Sequence, residues 1–327
     1  MPDEVILIDA YSQIFRAFFA IRMLTNSRGE PTNALFVFTR LLLHIQQNYP
    51  AKRGAMLFDC GKVGFRLELN PEYKANRPPM PDALRTQIPA IRAMAEAFGW
   101  PLLEEPEFEA DDLIAAIARA ATDAPVRIVS SDKDLAQLVD DRVHMLAPVS
   151  GNAGFEERGT EEIMKKFSVP PAQIVDYLAL IGDNSDNIPG VPGIGPRSAA
   201  QLLAQFGPIE QWIDHPELLA GSKFEKKLAG TAELLRRNRK LIRLREDLPP
   251  RFRNLDALLH RAEPDWGKIA GMCREYELKS ILKELPADAA AAPAEDDLFS
   301  ALPPESAAPP PGKPVPQDGT MVQGELF

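Results

Sequence analysis

The sequence predicts an α/β fold in which a parallel sheet is laid down first and an all-helical unit follows. Three observations carry this. Apolar runs that read as buried strands, Val5-Ile6-Leu7-Ile8, Ala55-Met56-Leu57-Phe58 and Val126-Arg127-Ile128-Val129, alternate with helical segments as far as Leu146. From Thr160 onward only helical patterning remains, which places a domain boundary between Glu161 and Pro170. Each of those strands is followed by an aspartate (Asp9, Asp59 and Asp132), so the carboxyl edge of the sheet, where open α/β sheets bind ligands, is acidic. We divide the chain into an α/β domain over 1–165, a helical domain over 166–286 and a tail over 287–327.

After the first strand, Ala10 to Ile21 carries Ile14, Phe15, Phe18 and Ile21 at helical spacing, and Thr32 to Gln47 makes a second amphipathic run. Arg16 on the first helix is either a packed or solvated arginine or a phosphate contact beside Asp9. Periodicity breaks between Gly61 and Pro81, around Tyr73-Lys74-Ala75-Asn76-Arg77-Pro78-Pro79-Met80-Pro81. This is an ordinary exposed connection or a basic loop over the acidic edge, with Lys74 and Arg77 suited to a phosphate and Tyr73 to stacking on a base. Asp82 to Gly99 reads as one helix, with Asp82 as N-cap and Gly99 as its stop. A short strand at Pro101-Leu102-Leu103 follows, then an acid-rich helix, the strand at Val126, a helix from Asp132 to Val139 and a strand from Arg142 to Leu146.

The acid-rich helix opens on Glu109-Ala110-Asp111-Asp112. Carboxylates at a helix N-terminus complement the macrodipole and cap free N–H groups, which alone would account for them. A helix that follows a strand in such a fold begins at the same edge as Asp9, Asp59 and Asp132, however. Asp134 follows in Asp132-Lys133-Asp134, and Asp183 and Asp186 flank a turn in Gly182-Asp183-Asn184-Ser185-Asp186-Asn187. If all meet, nine carboxylates share one cleft, and so many like charges stay ionised only with cations among them. On that reading, removing one acid such as Asp112 relieves repulsion. A ligand set made of oxygens alone points to Mg²⁺ or Mn²⁺ rather than zinc.

The 327 residues, 45% of them hydrophobic, suit two domains with a sizeable core plus a tail. The richest apolar run, Ala34 to Leu43, is broken by Arg40, and no basic segment precedes a hydrophobic one at the start; a cytoplasmic chain without membrane contact is expected. Cys60 and Cys273 lie far apart in no metal-type spacing, so both are expected to be reduced. The net charge of −10, taken as a total, argues against a nucleic-acid partner until its distribution is read. The tail carries −6 and the body −4, and the body without its nine candidate ligands is +5: a basic frame around an acidic centre.

In the helical domain, Val191-Pro192-Gly193-Ile194-Gly195-Pro196-Arg197 precedes Ser198-Ala199-Ala200-Gln201-Leu202-Leu203. Gly193 and Gly195 permit a tight turn and Pro196 suits the first turn of a helix, so N–H groups at this turn can bind phosphate without reading sequence. The pattern is that of a helix-hairpin-helix, with a generic interhelical turn as the bland alternative. Downstream, Lys223, Lys226, Lys227, Arg236, Arg237, Arg239, Lys240, Arg243 and Arg245 bias a helical region to one sign.

From Val5 to Leu285 the chain resembles the 5′-nuclease domain of bacterial DNA polymerase I, in the flap endonuclease superfamily. The residues that carry the resemblance are Leu7-Ile8-Asp9, Leu57-Phe58-Asp59, Tyr73 to Pro81, Glu109 to Asp112, Ser131 to Asp134, Gly182 to Gly190 and Val191 to Gly195. The resemblance implies a PIN-like core with a helical arch, then a helix-hairpin-helix domain. It implies metal-assisted hydrolysis of the 5′ strand in branched or nicked DNA, as 5′-3′ exonuclease and 5′-flap endonuclease, in RNA primer removal and repair. Two divalent ions are implied, with Asp9, Asp59, Glu109, Asp111, Asp112 and Asp132 closest to them and Asp134, Asp183 and Asp186 as an outer or second-ion set. Lys74 and Arg77 would stabilise the scissile phosphate, and the helix-hairpin-helix would grip duplex and hold K⁺. Pro196-Arg197 departs from the usual acid and lysine, leaving Arg197 as the basic contact. The proofreading-like and polymerase domains of that polymerase do not follow in this sequence.

Two other classes stay open: a non-catalytic DNA-binding scaffold, against which the full acid set argues, and a PIN-type RNase, which would not need the helix-hairpin-helix. The nuclease is expected to act as a monomer. The alanines, eight prolines and negative charge of residues 287–327 cannot build a core, so disorder is expected there. The chain ends in Gln323-Gly324-Glu325-Leu326-Phe327, which resembles the Gln-x-x-Leu-Phe peptide that docks bacterial replication proteins on the sliding clamp; chance is the alternative.

Overall fold

The computed structural model describes residues 4–61, 64–149 and 154–287, which fall within one compact unit. Its centre is a six-stranded sheet in the order β3-β2-β1-β4-β5-β6. The strands are β1 (Val5–Asp9), β2 (Arg53–Leu57), β3 (Leu102–Leu103), β4 (Val126–Val129), β5 (Val143–Pro148) and β6 (Phe155–Arg158), all parallel except β6. β6 has the charged sequence Phe-Glu-Glu-Arg on an edge, with no apolar alternation to announce it. Every residue of β1 is buried because helices cover both faces of the sheet.

The helices are α1 (Ala10–Ala20), α2 (Asn33–Asn48), α3 (Gly64–Leu69), α4 (Asp82–Arg85), α5 (Ile88–Ala97), α6 (Ala110–Ala120), α7 (Thr160–Phe167), α8 (Ile174–Ile181), α9 (Pro196–Phe206), α10 (Glu225–Leu228), α11 (Ala232–Ile242), α12 (Leu255–Leu259), α13 (Trp266–Glu275) and α14 (Lys279–Leu282). On one face Val5 and Leu7 pack in a core with Leu113, Ile114 and Ile117 of α6, and this core continues into α8 and α9 through Leu178 and Leu202. On the other, Ile6 and Ile8 pack with Phe38 of α2 and Ile91 of α5. Ile269 and Cys273 of α13 and Ile281 of α14 belong to this second core, so the end of the described chain returns to the sheet.

Several elements differ from expectation for local reasons. The helix foreseen over Asp82 to Gly99 is two, α4 and α5, with Pro81 rather than Asp82 ahead of the first. Gln87 sits at the break, donating to Asn33 Oδ1 (3.0 Å) and the Ala83 carbonyl (2.8 Å) and accepting from the Leu35 N–H (3.0 Å). Gly99 does mark the end, at φ +78°, where a Cβ would lie 2.0 Å from the Ala262 carbonyl oxygen. The segment after Asp132 is a 3₁₀ turn over Asp134–Leu138, set by the Asp134 N–H donating to Asp132 Oδ1 at 2.9 Å. The helical region contains a two-residue ladder, β7 (Gly182–Asp183) against β8 (Ile188–Pro189). Of the expected arch, the described residues carry α3 and a run of turns over 71–76.

Both cysteines are free, Cys60 exposed and Cys273 buried. Among the described residues no helix is long and apolar enough to cross a membrane. The expected disorder of 288–327, and Gln323, Leu326 and Phe327 with it, lie outside the described residues.

Candidate active site

Strand register brings the first acids together. Asp9 pairs with Leu57 across β1 and β2, and Ile8 with Val129 across β1 and β4, so residues just beyond these positions sit at one level of the sheet edge. Asp9, Asp59, Asp111 and Asp132 line one cleft of about 360 Å³, with Lys74 and Arg77 on its wall. Asp9 caps α1 by accepting the Ser12 N–H at 3.1 Å and takes a hydrogen bond from Ser130 Oγ at 2.8 Å. Burial, augmented by Asp132 and Asp59 and opposed by those two hydrogen bonds, pushes its carboxyl up to about 7. Asp59 accepts the Ala110 N–H at 2.9 Å, joining the end of β2 to the start of α6.

Burial first, then neighbouring acids, raises Asp111 and Asp134 well above the ordinary carboxylate range and raises Asp132 as well. Asp134, Asp183 and Asp186 form a second group, with one oxygen of each within 4.8 Å of the others. The two groups adjoin, since a second cleft is lined by Arg77, Asp132, Lys133, Lys166, Asp183 and Asp186. The buried oxygens Asp111 Oδ1 and Asp134 Oδ1 have no hydrogen-bond partner among the described residues. Orphaned carboxylate oxygens, one in each group, fit a divalent cation in each.

Asp112 stands apart from the other expected ligands. It is fully buried and lines neither cleft, held by Arg66 Nη1 and Nη2 at 2.6 and 2.7 Å and by the Arg245 N–H at 3.0 Å. Arg66, itself 1% exposed, also donates to the Leu241 carbonyl at 3.0 Å. The expected relief on removing Asp112 is therefore reversed: its loss would strand a buried guanidinium. Arg66 escaped the sequence reading because one arginine in Gly-Phe-Arg-Leu-Glu-Leu carries no signal that a carboxylate 46 residues away will enclose it.

Lys74 Nζ lies 2.8 Å from Glu109 Oε1 and 3.8 Å from Asp186 Oδ2, and Arg77 Nη2 lies 2.5 Å from Asp186 Oδ1. Burial pulls both cations down, but the facing acids outweigh it and hold both above their ordinary values. Tyr73 is corrected as a base-stacking residue: it is 5% exposed, and its hydroxyl donates between Glu109 Oε2 (3.1 Å) and Asp186 Oδ2 (3.0 Å). Lys133 Nζ reaches Asp183 Oδ1 at 2.7 Å, a partner the sequence reading left unassigned. Arg16 donates to the Val149 carbonyl at 2.8 Å and is not among the residues lining the Asp9 cleft.

The glycine turn is formed as its residues suggest. Gly193 has φ +77° and its carbonyl accepts Lys227 Nζ at 2.8 Å, Gly195 caps α9, Pro196 begins it, and Arg197 is exposed beside the turn. The basic helical region is less free than its sign suggested. Arg239 Nε pairs with Asp176 Oδ1 at 2.6 Å, and Arg236 pairs with Asp214 and Glu233.

Residues 4–168 match the model of the 5′-3′ exonuclease N-terminal resolvase-like domain, and 169–265 that of the 5′-3′ exonuclease C-terminal SAM fold. A 5′-3′ exonuclease of Aquifex aeolicus is 36% identical over 85% of this chain and 94% of its own length. DNA polymerase I of Pseudomonas aeruginosa is 38% identical over 86% of this chain, which spans 31% of that protein. Among solved structures, bacteriophage T5 5′-exonuclease with bound zinc is 25% identical with a TM-score of 0.60, covering 86% of this chain and 98% of its own. The catalytic core of Rad2 with a DNA substrate is 17% identical with a TM-score of 0.57, covering 88% and 93%, a likeness of fold.

Proposed function

The chain belongs to the 5′-3′ exonuclease family, and from that premise we propose a structure-specific 5′ nuclease that hydrolyses phosphodiesters in the 5′ strand of branched or nicked DNA. Its role is in replication, including RNA primer removal, and in repair. The observation that carries this is the meeting of Asp9, Asp59, Asp111 and Asp132 with Lys74 and Arg77 in one cleft.

Asp9, Asp59, Glu109, Asp111 and Asp132 would hold one divalent ion and Asp134, Asp183 and Asp186 a second, Mg²⁺ or Mn²⁺ by their oxygen-only donors. Such ions, when bound, activate water and offset charge on the departing 3′ oxygen. The chain's own part is positioning. Ser130 and the Ser12 N–H fix the Asp9 carboxylate, and Asp59 fixes the start of α6. Lys74 and Arg77 exchange carboxylate partners for the scissile phosphate, which they orient and whose developing charge they offset. The turn at Gly193 and Gly195, with Arg197, binds duplex phosphates, with K⁺ as its companion ion. Glu109, Asp183 and Asp186 meet protein cations that substrate and metal must displace.

The deciding experiment is the product ladder from a labelled 5′-flap duplex, with DNA or RNA at its 5′ end, in Mg²⁺ and in a chelator. Cleavage near the junction in Mg²⁺ alone supports the reading; metal-independent cleavage, or none, sinks it. Deleting Gln323 to Phe327 should leave this cleavage unchanged and remove binding to the sliding clamp; unchanged clamp affinity would end the peptide's assignment.

A further inference from the structure

The segment that carries Lys74 and Arg77 is fastened to the turn that carries Asp183 and Asp186, and side-chain amides do much of the fastening. Asn187 Nδ2 donates to the Glu72 carbonyl at 2.7 Å, and Asn76 Nδ2 donates to the Asn184 carbonyl at 2.7 Å. Between them the Lys74 N–H donates to the Asp186 carbonyl at 3.0 Å. Arg77 Nε adds a longer contact of 3.4 Å to the Ser185 carbonyl. The two stretches thus run against each other with one amide crossing in each direction.

Lys74 needs holding. Its φ of +55° is in the left-handed region, which a lysine rarely occupies unless its surroundings impose it. Asn187, across from it, has φ +57°, a conformation asparagine tolerates better than most residues. The side chain that crosses to Glu72 therefore comes from one of the few residue types that fit both the turn and the bond. Glu72 is two residues before Lys74, and its carbonyl also accepts the Ala75 N–H at 3.1 Å, closing the turn around Lys74.

We propose that Asn187 is a positioning residue for Lys74, with Asn76 as a second pin, so that the helical region sets where the cleft's cations stand. The inference rests on the nuclease reading above for its kinetic arm only. The same turn leads through β8 toward Gly193, and the buried Asn238 of α11 donates to the Pro189 carbonyl at 2.7 Å, anchoring β8 from behind. The glycine turn therefore follows directly along the chain from the stretch that is fastened to Lys74.

Asn187→Gly keeps the left-handed backbone and removes only the amide, so it isolates the pin from the turn. Since about 1 Å of misplacement can cost up to ~10²-fold, single-turnover cleavage of a 5′-flap duplex should fall about tenfold, with duplex affinity in Ca²⁺ unchanged. In a Lys74→Ala background the same substitution should add nothing. Independently of activity, amide hydrogen exchange across 72–77 should quicken, and Asn76→Ala, at an exposed position, should reproduce both effects if Asn187→Gly melts early. Multiplicative losses in the Lys74→Ala background, or unchanged exchange across 72–77, overturn the proposal. A wild-type protein that cleaves nothing defeats the nuclease reading instead, and the exchange measurement still decides whether Asn187 pins the segment that carries Lys74.

Discussion

The acids of the cleft fall into two kinds that composition alone does not separate. Asp9, Asp111, Asp132 and Asp134 are crowded with one another, and their carboxyls are all raised, burial being the first cause in each. Glu109, Asp183 and Asp186 each face a cation, in Lys74, Lys133 and Arg77. Asp112, one residue from Asp111, is sealed against Arg66 altogether. The difference teaches that an acidic cluster can be a site, a counter-charge and a structural pair within two helical turns. What decides is whether the opposing charge comes from the chain or must come from solution.

The sharpest test sets Asp111 against its neighbour. Asp111→Asn should lower single-turnover cleavage by roughly 10³-fold or more while leaving the melting temperature equal or higher, since one of a crowd of mutually repelling acids is removed. Cleavage near the wild-type rate would break the division. Asp112→Ala should do the opposite kind of damage, costing about 3–5 kcal/mol of stability in urea unfolding by leaving Arg66 unpaired in the interior. Arg66→Met should cost as much, and the Arg66→Met, Asp112→Leu pair much less than the sum; additive losses would show that the two do not act as a unit.

For the cation-facing half, Lys74→Ala should reduce kcat by roughly 10²-fold with little change in duplex affinity, the signature of an interaction realised in the transition state. A loss confined to affinity would place Lys74 with the binding residues. The smallest effect belongs farthest from the acids. Arg197→Ala should weaken duplex binding and flatten the slope of log affinity against log salt by about one unit, with cleavage at saturating substrate unchanged. If Lys74→Ala and Arg197→Ala gave the same pattern, cleft and turn would not be separate in role.

Legibility followed the range of the interactions involved. The three strand-end aspartates were readable because a buried parallel strand is a run of apolar residues and its carboxyl end is where ligands gather. The glycine turn before α9 was readable because positive φ, a cap and a proline at the first helical position each require particular residues. Tyr73 was misread for want of one fact: an aromatic in a basic loop suits a base, yet here its hydroxyl is enclosed between Glu109 and Asp186. Edge strand β6 and the break at Gln87 were missed because charged edges and buried amide networks leave no periodic trace.

By itself, then, the sequence determined the layered α/β core, the acidic sheet edge and the glycine turn, since these depend on periodicity and on conformations few residues allow. Only the tertiary structure decided which of nine acids face the cleft, which meet Lys74, Lys133 or Arg77, and that Asp112 belongs to Arg66. Charge pairing is a matter of distances between residues far apart along the chain, and no local pattern encodes which carboxylate an arginine 46 or 109 residues away will reach.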